Sequence, residues 1–202
     1  MSHLLVIRSS ATGAASVSNQ LIDAYLAALK PGANVVDHDL DRDPVPYLTA
    51  ATLAGIGRPA PESDASQATR VLSDQLVAEL LAADTLVLGV PMYNFGMPAT
   101  LKSWFDHVLR AGVTFRYTAA GPEGLVTHTR AIIVAARAGA YSDSDSVALE
   151  HQISHVRTLL GFMGIRDVTV VLAEGLAYGE EAATAAIGAA REAIEKLARA
   201  SA

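Results

Sequence analysis

The 202-residue chain contains no cysteine. That removes disulfides, thiolate metal ligands and a cysteine nucleophile together, and it predicts a reducing compartment, the cytosol. No apolar run approaches the ~20 residues needed to cross a bilayer, so no membrane partner is expected. The opening residues Met1–Arg8 lack a basic region, a long apolar stretch and a small-residue cleavage site, so no signal peptide is expected. Charged residues are only 18% of the chain, the net charge is −6, and no Lys/Arg cluster is present, which argues against nucleic-acid binding through phosphates. An anionic small molecule is still admissible, because backbone N–H groups at a helix N-terminus hold phosphate without basic side chains.

Several motifs are also missing. Gly13 has no partners for G-x-G-x-x-G, and Gly55-Ile56-Gly57 does not follow a strand. There is no G-x-x-x-x-G-K-[ST] and no G-x-S-x-G, which disfavours P-loop NTPases and α/β-hydrolases. His151 and His155 sit at i, i+4 beside Glu150, a spacing compatible with zinc, but no third ligand and no H-E-x-x-H accompany them. No metal site is expected. His3, His38, His107 and His128 are scattered and read as structural or surface residues, and Trp104-Phe105 as core or subunit interface.

What is present is a chain that is 51% apolar and long enough for one core, so residues 1–202 are read as a single domain. Largely apolar runs at Leu4–Ile7, Thr85–Val90, Ala131–Ala136 and Val168–Ala173 predict strands, and Asn34–His38 reads as a further one, five in all. Helical spacing links Leu21, Ile22, Tyr25, Leu26 and Leu29, stopped by Pro31-Gly32. It recurs over Gln67–Ala82, with Val71, Leu72, Leu76 and Leu80 on one stripe. Pro98–Arg110 reads as a helix with proline at its first position, followed by helices over Ser146–Phe162 and Glu180–Ala200, the last with Ile187, Ile194 and Leu197 in phase. Strands that are apolar throughout bury both faces, which predicts an α/β doubly wound parallel sheet, order 2-1-3-4-5, with helices on both sides. Two stretches fall outside this alternation. Asp39–Ser66 is a long, proline-rich connection. In Ala111–Thr129, Val113–Tyr117 alternates like a strand and Gly121–Gly124 has turn chemistry, which predicts a small hairpin.

In that strand order the loops after strands one, three and four converge at the switch point, where such sheets bind ligands. The first loop, Ser9–Asn19, is long and rich in hydroxyls. Any one of its serines reads as a cap, but together Ser10, Ser16 and Ser18, with the N–H groups of the first helical turn, suit a phosphate monoester. The second loop, Met92-Tyr93-Asn94-Phe95, places large side chains where they can cover something flat and apolar. The third, Ala136-Arg137-Ala138-Gly139, is small enough for close backbone approach, with Arg137 or nearby N–H groups facing an anionic ring edge and Gly139 able to take positive φ.

The runs Pro91–Phe95, Leu101–Asp106, Arg110–Thr118, Gly121–Leu125, Gly161–Gly164 and Ala173–Gly179 resemble the FMN-dependent NADH azoreductase/NADH:quinone oxidoreductase family over nearly the whole chain. The resemblance implies a flavodoxin-like fold and a homodimer with one FMN per subunit and active sites at the interface. NADH or NADPH would be the electron donor. The reaction would be a ping-pong, two-electron reduction of quinones to hydroquinones and a reductive cleavage of aromatic azo compounds to amines. The family's phosphate site falls on Ser10 and Ser16-Val17-Ser18, and its ring loops on Met92–Phe95 and Ala136–Gly139. Val17 stands where Gln is common, and Ala136 and Ala138 replace Ser and Gly. A need for positive φ at Ala138 would strain it. Phe115 matches the partner-hairpin residue that covers the flavin pocket, and Asn94 is the other pocket side chain. No residue is assigned as a catalytic acid or base. A flavodoxin-type electron carrier is the alternative reading, and a non-catalytic nucleotide-binding protein a more distant one.

Overall fold

The computed structural model describes residues 2–143 and 145–200. Met1 and the last two residues of the expected 1–202 domain lie outside them. Five strands form one parallel sheet: β1 (His3–Arg8), β2 (Asn34–Asp39), β3 (Thr85–Pro91), β6 (Arg130–Ala136) and β7 (Val168–Ala173), in the order β2-β1-β3-β6-β7. This is the expected doubly wound order. Successive side chains point to opposite faces, so Leu4 and Val6 of β1 join one core while Leu5 and Ile7 join the other. On the first face, α1 (Val17–Ala28) and α5 (Glu180–Ala200) bring Ile22, Tyr25 and Ile194 onto Val87, Ile132 and Val134. On the second, α2 (Asp64–Ala82), α3 (Ala99–Val108) and α4 (Ile153–Met163) bring Leu80, Trp104, Phe105 and Leu160 onto Leu86, Leu88 and Ile133. Trp104 and Phe105 are therefore core residues. All seven residues of β3 are buried, as a central parallel strand requires. Gly89 is small for a reason: a Cβ there would lie 2.9 Å from Ile22 Cδ1 of α1.

The structure moves several expected boundaries. Pro98 is the N-cap of α3, with extended ψ of 145°, and not its first helical residue; α3 stops at Val108. There the Thr114 hydroxyl donates to the Val108 carbonyl at 2.7 Å and accepts from Arg110 N at 2.9 Å, so the chain turns early. α2 starts three residues before the expected Gln67, because Ser63 and Ser66 form a reciprocal capping box. Val71 is 70% exposed, and Val77 takes its place in the buried stripe. The expected helix Ser146–Phe162 is broken. Val147–Leu149 is one 3-10 turn, and the Glu150 carboxylate then accepts from the N–H groups of Gln152, Ile153 and Ser154. That local side-chain cap starts α4 anew.

The hairpin forms from β4 (Phe115–Thr118) and β5 (Gly121–Gly124), antiparallel, with Arg116 opposite Glu123. Gly121–Gly124 is its second strand, not its turn; the turn is Ala119-Ala120. Arg116 Nε donates to Glu123 at 2.7 Å, and this hydrogen bond, with the charge behind it, holds the Glu123 carboxyl below its usual range. At the hairpin base Gly124 runs directly against the backbone of Gly164, an approach that a Cβ at either residue would block. No described helix is long and apolar enough to cross a membrane.

Candidate functional site

The carboxyl ends of β1, β3 and β6 surround a cleft of about 290 Å³, close to the lower bound of ~300 Å³ for small-molecule sites. Its floor is the start of α1. Ser16 is the N-cap, accepting from Asn19 N at 3.2 Å, and its Oγ lies 3.1 Å from that of Ser18. The next two N–H groups, of Val17 and Ser18, have no protein acceptor among the described residues. Two hydroxyls and two free backbone donors thus converge on the positive end of a helix, an anion site by construction. No acidic side chain lines the cleft.

One wall is the loop after β3. Tyr93 N donates to Gly96 O at 3.0 Å and Gly96 N returns to Tyr93 O at 3.1 Å, closing a two-residue turn. Its central residues, Asn94 and Phe95, both have positive φ, 47° and 71°. Asn tolerates this region, whereas for Phe it is a strained conformation. The strain leaves the N–H groups of Asn94 and Phe95 without a protein acceptor among the described residues and Phe95 half-exposed. The opposite wall is the loop after β6, followed by Leu176 and Ala177 from the loop after β7.

The flavodoxin-like fold family matches residues 2–198. The chain belongs to that family. Among relatives, a protein of Hyphomonas neptunium named FMN-dependent NADH:quinone oxidoreductase is 48% identical over 202 residues, covering 98% of this chain and 97% of the relative. One of the same name from Agrobacterium fabrum is 44% identical over 204 residues, covering 99% and 100%. Among solved structures, an azoreductase from Bacillus anthracis str. Sterne superposes with a TM-score of 0.90 at 30% identity, covering 99% of this chain and 100% of that one. An FMN-dependent NADH-azoreductase from B. anthracis str. Ames Ancestor, solved in complex with FMN, gives 0.87 at 25% identity, covering 98% and 100%.

In this flavodoxin-like protein Ser10, Ser16, Val17, Ser18, Met92, Tyr93, Ala136, Arg137 and Ala138 line one cleft. Asn94 and Phe95 continue the Met92–Tyr93 wall beyond it. Gly139 does not line the cleft and does not use positive φ; Ala138 does not either, so the expected strain is absent there and sits at Asn94-Phe95 instead. Arg137 is corrected more sharply. Its guanidinium is buried and taken up by other side chains, with Nε donating to Gln152 at 2.7 Å and the two terminal nitrogens paired with Glu150 (3.2 Å) and Glu174 (3.3 Å). Phe115 is also corrected. It is 4% exposed and packs on Phe162 of its own chain, ring centroids 4.6 Å apart; the exposed hairpin aromatic is Tyr117, at 70%. Sequence reasoning missed Thr12, Ala15, Leu176 and Ala177 as lining residues. Leu176-Ala177 lies in a run singled out for family resemblance, and only the strand order shows that the loop after β7 reaches the cleft.

Proposed function

We propose that the protein is a one-domain, FMN-dependent oxidoreductase that uses NADH to reduce quinones to hydroquinones and to cleave aromatic azo compounds to amines. The observation that carries this reading is the cleft itself. It joins a phosphate-sized donor set at the start of α1 to a wall of Met92 and Tyr93, with the small residues Ala136 and Ala138 also lining it. The residues present fit FMN: free N–H groups of Val17 and Ser18 for the phosphate, and free N–H groups of Asn94 and Phe95 for the polar edge of the ring. Bound FMN supplies the redox chemistry, taking up a hydride and passing two electrons onward.

The chain's own contribution is binding and orientation. Ser10, Ser16 and Ser18 add hydroxyls to the phosphate site. Met92 and Tyr93 exclude water from one side, and the methyl groups of Ala136 and Ala138 leave room for a flat group on the other. No side chain acts as acid or base, and protons come from water. Relatives and neighbours carry oxidoreductase names, which supports the enzyme over an electron carrier. Exposed apolar side chains at Phe95, Val113, Tyr117, Val147 and Leu149 support a homodimer whose second copy covers the cleft. A cysteine-free chain drawing on a nicotinamide donor fits the cytosol.

The test is direct. The purified protein supplied with FMN should bind it, be bleached by NADH without oxygen, and recolour with benzoquinone. A protein that binds no FMN and oxidises no NADH under these conditions would sink the proposal.

A further inference from the structure

Three loops meet at one side chain that does not line the cleft. Gln152, the residue before α4, is fully buried. Its Nε2 donates to the carbonyl of Val90, the next-to-last residue of β3 before the strained loop. Its Oε1 accepts from Arg137 Nε at 2.7 Å, in the loop after β6. Its own N–H is fixed by Glu150 Oε1 at 2.7 Å, and Glu150 also pairs with Arg137. The preceding residue completes the arrangement, since His151 N donates to the carbonyl of Phe95 at 3.0 Å. The segment Glu150–Gln152 therefore holds the end of β3 and the loop after β6 through one buried amide, and the strained turn through the His151 N–H.

Each half of that amide does a different job. A side-chain amide carries a donor and an acceptor on separate atoms, so it can donate to a carbonyl on one side and accept from a guanidinium on the other. The donor half sets where β3 ends. The acceptor half fixes Arg137, which with Glu174 keeps the loop after β6 in register with that after β7. Positive φ at Phe95 persists only if its surroundings over-determine it. Beyond the Tyr93–Gly96 bonds that close the turn, the His151 N–H bond to Phe95 O and the Gln152 bond to Val90 O hold what surrounds it.

We propose that Gln152 is a positioning residue for the flavin ring: by bridging Val90 and Arg137 it sets the spacing of the cleft walls and the aim of the Asn94 and Phe95 N–H groups. This rests on the proposed FMN site. It also explains why Arg137 faces inward, as a strut between carboxylates and not as a ligand of the ring.

The experiment compares wild type with Gln152→Leu, which removes both halves at similar volume, and Gln152→Glu, which keeps the acceptor for Arg137 but loses the donor to Val90. The readouts are FMN dissociation constant by fluorescence quenching, the visible absorption bands and midpoint potential of the bound flavin, and melting of the FMN-free protein. Gln152→Leu should weaken FMN binding about tenfold or more, the scale of two hydrogen bonds to a charged and a backbone group. It should also move the absorption bands and the potential. Gln152→Glu should keep part of the affinity, and it serves alone if the leucine variant does not fold. Variants that melt lower but keep the wild-type dissociation constant, bands and potential would overturn the inference and leave the FMN reading intact. Wild type that binds no FMN overturns the proposed function and this inference with it.

Discussion

The Tyr93 hydroxyl accepts a hydrogen bond from Ala11 N at 3.0 Å and lies 3.4 Å from Ser10 Oγ, tying the loop after β3 to the loop after β1. Parallel strands β1 and β3 already pair up to Arg8 and Gly89, and Ser9 Oγ donates to Gly89 O at 2.6 Å just beyond. Tyr93 extends that union from the ring-side loop to the phosphate-side loop.

Tyr93→Phe removes the tie and leaves the ring. A neutral hydrogen bond is worth ~0.5–1.5 kcal/mol net. Ala11 is exposed, so water takes over its donor and the melting temperature should hardly change. The loss should appear in the cofactor instead, as FMN binding weakened about three- to tenfold. Titration of FMN fluorescence checks it, and an unchanged dissociation constant would reduce Tyr93 to a wall.

Asn94 has φ of 47°. Alanine in that region is penalised by ~1 kcal/mol, whereas glycine is not. Asn94→Ala therefore mixes two effects, backbone strain and loss of the side chain. Asn94→Gly separates them. It should keep or slightly raise stability while lowering turnover with benzoquinone, if the side chain has a part in the pocket. Equal turnover in Asn94→Gly and wild type would assign the position to the turn alone. Phe95→Gly should likewise stabilise the FMN-free turn by about 1 kcal/mol, while removing apolar surface at the cleft mouth.

Arg137→Met would leave Glu150 and Glu174 without their cation. Breaking a fully buried ion pair from one side costs ~3–5 kcal/mol. These carboxylates retain 13% and 23% exposure, so a loss of about 2–4 kcal/mol is expected after solvent screening. Denaturant unfolding of the FMN-free protein measures it. Arg137→Lys should recover part of that loss and fail to restore the Gln152 contact, because a lysine lacks the planar fork.

The sheet was legible because its central strands, β1, β3 and β6, are apolar on both faces, whereas the edge strand β2 is polar and largely exposed. Val6 and Ile7, or Val87 and Leu88, serve opposite cores, and only a central parallel strand asks for that. The cleft was legible in outline because strand order alone brings Ser16, Met92 and Ala136 together. What stayed hidden was set by side chains reaching across the chain. Nothing near Arg137 in sequence reveals that Gln152, Glu150 and Glu174 will draw its guanidinium inward. The break before α4 was hidden for a related reason. Glu150 is an ordinary residue in a helical period until its carboxylate turns to cap the N–H groups of the next turn. Positive φ at Phe95 is invisible too, since an aromatic residue is a poor candidate for it and the Tyr93–Gly96 bonds decide it.

The hairpin offers the sharpest separation of packing from function, because its two aromatics face different surroundings. Phe115 is buried against Phe162 and contacts Tyr117 edge-on, ring centroids 5.5 Å apart. Truncating a buried Phe costs ~3–5 kcal/mol, so Phe115→Ala should lower the melting temperature severely. Tyr117 exposes most of its ring, and surface truncations stay within about 0.5 kcal/mol. Tyr117→Ala should therefore fold as wild type does. If a second copy covers the cleft with this hairpin, the same variant should raise the quinone KM and weaken self-association in sedimentation. Should Tyr117→Ala leave both unchanged, the hairpin would be a structural strap over Gly164, and the cover of the cleft would have to come from elsewhere.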